Sequence, residues 1–404
     1  EQPEVVGTRN PGMDLTGPLR TYGEQMAGEL DDICGYIFMQ KSPSCGLERV
    51  KVYQDNGHPA FHAGRGVYAQ AFCSLRPDLP VEEEGRLHDA VLRENFISRV
   101  YAYADWQRLL AEGLTDYSVE LGVLRRDGAA IAKFLHWLSI EAPKGGETEL
   151  SAAAKLRAFR DESPLLRDTS FDTISAAGPH AASPHYKVDE HSNIPITPGS
   201  IYLVDSGGQY PDGTTDITRM VPVGNPSLAQ KQDCTRVLKG MIALSRATFP
   251  RGVLSPLLDA IARAPIWADQ VDYGHGTGHG VGYFMNVHEG PQVIAYQAVP
   301  APQTAMQAGM ISSIEPGTYR PGQWGVRIEN LVVNREAGRS AFGDFLQFET
   351  LTLCPIDTRC LLPGLLTKEE VEWLNGYHAS VRERLAPLLQ GDALAWLELR
   401  TAPL

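Results

Sequence analysis

The chain has 404 residues, 43% hydrophobic and 21% charged, which excludes disorder as the default and is enough for a sizeable core in two or three domains, or one large one. Its net charge of -13, from 49 acidic and 36 basic side chains, comes with no cluster of Lys and Arg to follow a phosphate backbone, so nucleic acid is not an expected partner. No apolar run reaches the roughly 18 residues that span a bilayer, EQPEVVGTRN lacks the basic and apolar regions of a secretory leader, and the six cysteines are too scattered for a disulfide framework, so a reducing, cytoplasmic setting is expected.

No internal repeat or low-complexity tract interrupts the chain. Residues 1–60 are turn-rich, with strand candidates at Gly35–Phe38 and Arg49–Tyr53. Leu87, Val91, Phe96, Val100, Tyr103, Trp106 and Leu110 recur near the 3.6-residue period and predict a helix from about Arg86 to Glu112. The pattern breaks over Gly113–Asp127, the expected junction. A second helix is expected over RDGAAIAKFLHWLSIEA, Arg126–Ala142, with Ile131, Phe134, Leu135 and Leu138 on one face and PKGG as its stop. Helices near Pro226–Thr248 and Ser255–Asp269 then alternate with strands near Gly309–Ile314 and Val326–Val333, a mixed α and β pattern. Thr367 and Glu370 form a capping-box pattern at the head of a last helix.

Three segments carry chemistry. In DSGGQYPDGTTDITR, Asp205 and Asp216 lie between the strand-like runs IYLV and MVPV, which a hairpin folds into adjacency. Buried side by side they repel, and one takes a proton unless a cation lies between them. A solvated polar turn is the equal alternative for this stretch alone. HGTGHGVGYFMNVHEGP holds His275, His279 and His288 among glycines that let the backbone approach a ligand. Any one of these imidazoles alone is as readily a backbone-bonded loop residue. In SIEPGTYRPGQWGVRIENLVV, Glu315 and Glu329 interrupt apolar runs, where a carboxylate needs a partner, either a cation or Arg320 or Arg327. Together the segments supply four carboxylates and one imidazole. That oxygen-rich set suits two divalent ions, Mn²⁺ before a thiolate-type zinc site, which would activate a water and polarise a carbonyl. Asp212 is left to the turn.

These segments, with GPHAASPHY, resemble in order and spacing the Xaa-Pro aminopeptidases (aminopeptidase P) of the pita-bread metallopeptidases, from about Val119 to the C-terminus. FETLTLCPIDTRCLL and the WLNGYH helix resemble an extension of the large cytosolic-type members. The resemblance implies an α+β fold with a pita-bread catalytic domain over 119–345 and an extension over 346–404. It implies hydrolysis of the bond between an N-terminal residue and a following proline, with peptides bearing proline second as substrates. Asp205 would hold one metal, Asp216 and Glu329 would bridge both, and His279 with Glu315 would complete the other. His288 would donate to the carbonyl oxygen and Glu315 would shuttle the proton. His185, counted with His288 and Glu315 as catalytic, and His275, Tyr319 and Arg327 would shape the substrate pocket or orient the ligands. A homodimer is a family-level expectation, with Trp267 as a candidate anchor. A prolidase-like dipeptidase or a methionine aminopeptidase shares the ligand set, and a non-catalytic pita-bread binding protein is the alternative of another class.

Residues 1–118 depart from that family, whose large members carry creatinase-like domains there. GYIFMQKSPSCGLERVKVY, RPDLPVEEEGRL and LRENFISRVYAYADWQ resemble the DUF523 proteins, which include thiouracil desulfurases, as a small truncated α/β segment. In that family three cysteines hold an iron–sulfur cluster. Only Cys45 matches one of them and Gln2 stands where another would be, so no cluster is expected, and Cys34 and Cys73 are expected as small core residues.

Overall fold

Aromatic side chains organise the first of two units, Glu1–Gly113. The computed structural model describes every residue except 1–3, 8, 9, 11, 55, 61–63, 112–115 and 285, so Gln2 and the start of the expected junction lie outside the described residues. The elements are α1 (Thr16–Glu29), β1 (Tyr36–Phe38), α2 (Val67–Leu75), β2 (Val81–Glu83) and α3 (Ala90–Ala111), with β1 and β2 parallel. Phe38, Tyr68 and Phe72 are buried at their centre, the Phe72 ring 5.8 Å from Phe38 and 5.9 Å from Tyr68. The strand expected at Gly35–Phe38 forms. The one expected at Arg49–Tyr53 does not, because Val50 and Tyr53 pair only as isolated bridges with Gly64 and Pro59. The helix expected from Arg86 opens as a 3₁₀ turn, Arg86–His88, before α3. Cys34, Cys45 and Cys73 are half-buried, so Cys34 and Cys73 are not fully core residues.

In the second unit, Leu114–Leu404, the first helix corrects an expected boundary. α4 spans Asp116–Glu141, ten residues upstream of the expected start at Arg126. The polar run Arg125–Arg126–Asp127 reads as a break. It is tolerated inside the helix because buried Asp127 accepts from Arg160 Nε at 2.8 Å and from the Tyr210 hydroxyl at 2.9 Å. α5 (Glu149–Asp161) follows on a capping box from Thr148 and Ser151.

The strands then come as β3 (Asp168–Thr169), β4 (Ile174–Ala177), β5 (Ile201–Ser206), β6 (Gly208–Tyr210), β7 (Gly213–Thr214) and β8 (Ile217–Pro222). β4, β5 and β8 form one antiparallel sheet in that order, with Asp205 opposite both Ile174 and Thr218. The runs IYLV and MVPV thus pair as the sequence suggests, with β6 and β7 folded between them. After α6 (Leu228–Ser245), β9 (Thr248–Pro250) and α7 (Asp259–Trp267) come β10 (Gly278–His279) and β11 (Val293–Ile294), a short antiparallel pair. β12 (Ile311–Ile314), β15 (Asn330–Ser340), β16 (Gly343–Thr350) and β9 make a second sheet, and β13 (Gly317–Arg320) with β14 (Trp324–Arg327) form a hairpin. α8 (Lys368–Leu385) and α9 (Gly391–Arg400) end the chain, α8 on the expected capping box of Thr367 and Glu370.

One apolar cluster joins the inner faces of both sheets to α6, α7 and α8, through residues such as Leu203, Met241, Ala262, Val332 and Val381. A second lies between α4, α5 and β5, around Phe134, Leu138, Leu156 and Tyr202. No helix among the described residues is long and apolar enough to cross a membrane.

Candidate metal centre and active site

Strand ends deliver the polar side chains to one cavity of ≈ 510 Å³. Asp205 stands near the end of β5, and Asp216 immediately precedes β8 beside it. His279 ends β10, which approaches β12 closely because Gly278 has no side chain: a Cβ there would collide with the Ser313 carbonyl. Glu315 follows β12, held by its N–H to the Thr277 carbonyl at 2.7 Å. Glu329 falls between β14 and β15, with its N–H on the Thr218 carbonyl at 3.2 Å. All five line the cavity, as do His185, His275, His288 and Arg327. Tyr319 reaches it indirectly, through its hydroxyl.

Three groups of ligand atoms lie within 4.8 Å of one another: Asp205, Asp216 and Glu329; His279, Glu315 and Glu329; and Asp216, His279 and His288. The carboxylates are crowded and water-poor, Asp205 being 7%, Asp216 4% and Glu329 1% exposed. Burial, then the neighbouring carboxylates, push Asp216 and Glu329 well above the usual range. Burial also raises Asp205 against the opposing charge of Arg327, whose Nη2 donates to its Oδ2 at 2.6 Å. Oδ1 of Asp205 is buried with no partner among the described residues.

The imidazole makes the same demand. Nδ1 of His279 lies 2.9 Å from the Gly280 carbonyl, which can only accept, so the proton sits on Nδ1. Nε2 is left facing Glu315 Oε1 at 3.1 Å and Asp216 Oδ2 at 3.6 Å. A lone pair aimed at carboxylates is repelled unless a proton or another cation lies between them. Glu315 itself, despite burial, is lowered to about 2 by His279, His275 and Arg327. An excess of carboxylate charge, an orphaned buried oxygen and an imidazole lone pair converge on shared space, a donor set that fits divalent cations.

Around this set a second row fixes positions. Tyr319 hydroxyl donates to His275 Nε2 at 2.7 Å and accepts from Arg327 Nη1 at 2.9 Å, while His275 Nδ1 lies 2.7 Å from the Gly276 carbonyl. Burial pushes the Tyr319 phenol up to about 12, so it remains a donor. Thr218 Oγ1 donates to Glu329 Oε2 at 2.7 Å and receives Arg327 Nε at 3.2 Å. His288 is exposed at the rim, its ring centroid 4.0 Å from that of His279, and His185 is exposed on the wall. Arg320, weighed as a partner for a glutamate, turns instead to Asp233. Asp212 is in the turn, paired with Arg126.

Sequence reading missed Thr218 and Ser313, whose hydroxyl donates to Glu315 Oε1 at 3.0 Å. Both stand two residues from a carboxylate, the same-face spacing of a strand, and that spacing was the available signal. The apolar walls, Phe171, Ile174, Val287 and Val293, were missed as well.

Residues 123–336 match the model of metallopeptidase family M24, and residues 344–404 match the C-terminal region of peptidase M24. The chain belongs to metallopeptidase family M24. Its second unit has that family's pita-bread fold, α+β, preceded by a small segment in which residues 2–84 match 2-thiouracil desulfurase. A probable Xaa-Pro aminopeptidase P of Coprinopsis cinerea is 46% identical over 285 residues, 69% of this chain and 46% of that protein. Aminopeptidase P2 of Arabidopsis thaliana is 46% identical over 284 residues, 69% of this chain and 40% of the other. The chain therefore spans about half the length of the curated relatives it matches. An X-prolyl aminopeptidase from Caenorhabditis elegans, described as a cytosolic enzyme with a di-nuclear active site, matches with a TM-score of 0.70 and 28% identity over 100% of this chain and 73% of that one.

Proposed function

We propose that this M24 chain is a metal-dependent aminopeptidase that hydrolyses the bond between an N-terminal residue and a following proline. The observation that carries the reading is the convergence of Asp205, Asp216, His279, Glu315 and Glu329 on shared space with unmet demand for positive charge. The names of the relatives support the choice of substrate. Asp205 would hold one of two divalent cations, His279 and Glu315 the other, and Asp216 and Glu329 both, Mn²⁺ being favoured by an oxygen-rich set with one imidazole. Bound there, the cations supply Lewis acidity toward the scissile carbonyl and lower the pKa of water.

The chain's own residues do the rest. Glu315 takes a proton from the attacking water on a carboxylate oxygen and returns it to the leaving proline nitrogen. His288, at the rim beside His279, donates to the carbonyl oxygen as it becomes tetrahedral. His185 and His275, both on the wall, hold the substrate backbone, with His275 oriented by Tyr319, which in turn accepts from Arg327. The same reading takes 119–345 as the catalytic domain and 346–404 as its extension, with 1–118 as the desulfurase-like segment. The division at Gly113 and Leu114 and the matched ranges support it.

A cytoplasmic setting and a homodimer complete the proposal. Trp267, 42% exposed and edge-on to Tyr296 at 6.2 Å, is the candidate anchor, and a monomeric mass by light scattering rules the dimer out. The central test is metal content per chain together with hydrolysis of an Xaa-Pro-Xaa tripeptide before and after chelation. Two ions per chain are expected, with activity lost on chelation, restored by Mn²⁺ and abolished in Asp216→Asn and Glu329→Gln. Unchanged turnover in those variants would sink the reading. Turnover of Xaa-Pro dipeptides or Met-initiated peptides in place of the tripeptide would reassign the substrate.

A further inference from the structure

Arg219 is a cation buried without a carboxylate partner among the described residues. It is 2% exposed, and its guanidinium donates to neutral acceptors: the carbonyls of Thr218 at 3.0 Å, Cys354 at 2.9 Å and Pro355 at 3.1 Å, the Asn330 amide oxygen at 2.7 Å and the Tyr377 hydroxyl at 2.8 Å. Hydrogen bonds to neutral groups satisfy its N–H donors but leave its charge uncompensated.

Beside Arg219 is a small cavity, of ≈ 10 Å³ and so about the size of one water-sized occupant, whose wall also carries Asp357, Arg359, Trp396 and Arg400. Three arginines, Arg219, Arg359 and Arg400, line it with one carboxylate residue, Asp357. That carboxylate is already engaged, since Arg359 grips it with Nη2 at 2.6 Å and Nε at 3.0 Å, and Arg400 Nη1 stands 3.8 Å away. Two residues of the lining carry a buried donor with no acceptor among the described residues, Trp396 at Nε1–H and Arg400 at Nε–H. A water could accept from both, yet it would leave the positive excess untouched. A small acceptor-only anion meets both demands.

We propose that this cavity binds a single monovalent anion of halide size, held by Trp396 Nε1–H and Arg400 Nε–H in the field of Arg219 and Arg359. Arg219 and Val221 belong to β8, which begins beside Asp216, while Trp396 and Arg400 belong to α9. The anion therefore ties the C-terminal helix to the strand that leaves the metal centre.

Thermal unfolding of the full chain at constant ionic strength, with sodium chloride replaced stepwise by sodium gluconate, reads the site. Chloride is expected to raise Tm saturably by a few degrees, with the rise absent in Trp396→Phe and reduced in Arg400→Gln. Bromide introduced into crystals of the unaltered chain is expected to give an anomalous peak between Trp396 and Arg400, a reading that stands even if both variants fail to fold. A Tm indifferent to chloride, or a water at that position with no anomalous signal, overturns the proposal. Neither readout depends on bound metal or peptidase activity, so failure here is distinguishable from failure of the peptidase reading.

Discussion

Thr218 bears on three of the groups that converge on the cavity. Its hydroxyl donates to Glu329 and accepts from Arg327, and its backbone pairs with Asp205. Thr218→Val keeps the volume and removes both side-chain bonds, so Glu329 loses the donor that orients it. Metal affinity is expected to fall about 10–100-fold, the usual effect of losing a partner of a metal ligand. Metal titration of the chelated protein measures this, and unchanged affinity would mean that the backbone alone holds Glu329 in place.

His378, on α8, is a residue of another kind, fully buried and outside the cavity of the proposed metal centre. Its Nε2 accepts from the Ile356 N–H at 3.2 Å, and burial followed by the charge of Arg219 lowers it from 6.5 to about 4. Below about pH 6.5 the unfolded chain takes up a proton that the folded chain refuses until about pH 4. The stability it contributes is therefore fully present above pH 6.5 and is lost as pH falls toward 4, by on the order of 3 kcal/mol. Urea midpoints from pH 4.5 to 7.5 should fall more steeply with acid in the native chain than in His378→Gln, and parallel profiles would refute the assignment.

At the scale of elements, the hairpin of β13 and β14 carries two groups that orient the site, Tyr319 and Arg327, and is pinned from outside it. Asp233, wholly buried on α6, accepts from Arg320 Nε at 2.5 Å, Arg320 Nη2 at 2.9 Å and Trp324 Nε1 at 3.0 Å, and pairs with Arg236. Gly325 lets the hairpin lie against the Ala181 carbonyl, where a Cβ would collide. Asp233→Ala would leave Arg236 buried without this partner and is expected to lower stability by about 3 kcal/mol, read from the urea midpoint. It should also lower kcat/KM while sparing metal content, since the proposed ligands come from outside the hairpin. Full activity would show that Tyr319 and Arg327 hold themselves in place.

This clamp explains what was legible in the sequence. Asp205, Asp216, His279, Glu315 and Glu329 were visible because carboxylates and imidazoles in apolar or glycine-rich runs are chemically conspicuous. Asp233 sits in an ordinary amphipathic helix with a commonplace i,i+3 partner in Arg236, and the hairpin residues it holds, Arg320 and Trp324, are remote in sequence, so nothing local marks its role. Element types were readable from period and capping, as at Thr367. The start of α4 was not, because its Arg-Arg-Asp run looks like a loop until Arg160 and Tyr210 neutralise Asp127 across the fold. The bridge-only segment at Val50 and Tyr53 failed for the opposite reason: β-branched and aromatic residues alone do not make a strand without a partner edge.

At the scale of the whole molecule, the two units carry separate apolar cores, one around Phe38, Tyr68 and Phe72 and the others around the sheets of residues 114–404. All five proposed metal ligands belong to the second unit. A ligand raises the stability of the unit that binds it and of nothing else unless unfolding is shared. Calorimetry of the full chain should therefore give two transitions, of which Mn²⁺ raises one and leaves the other where it is, and chelation should bring the first back down. A single transition that moves as a whole would mean that the desulfurase-like segment and the peptidase fold unfold together, and that the second unit is not autonomous. Two transitions that both ignore the metal would instead remove the metal centre from the account.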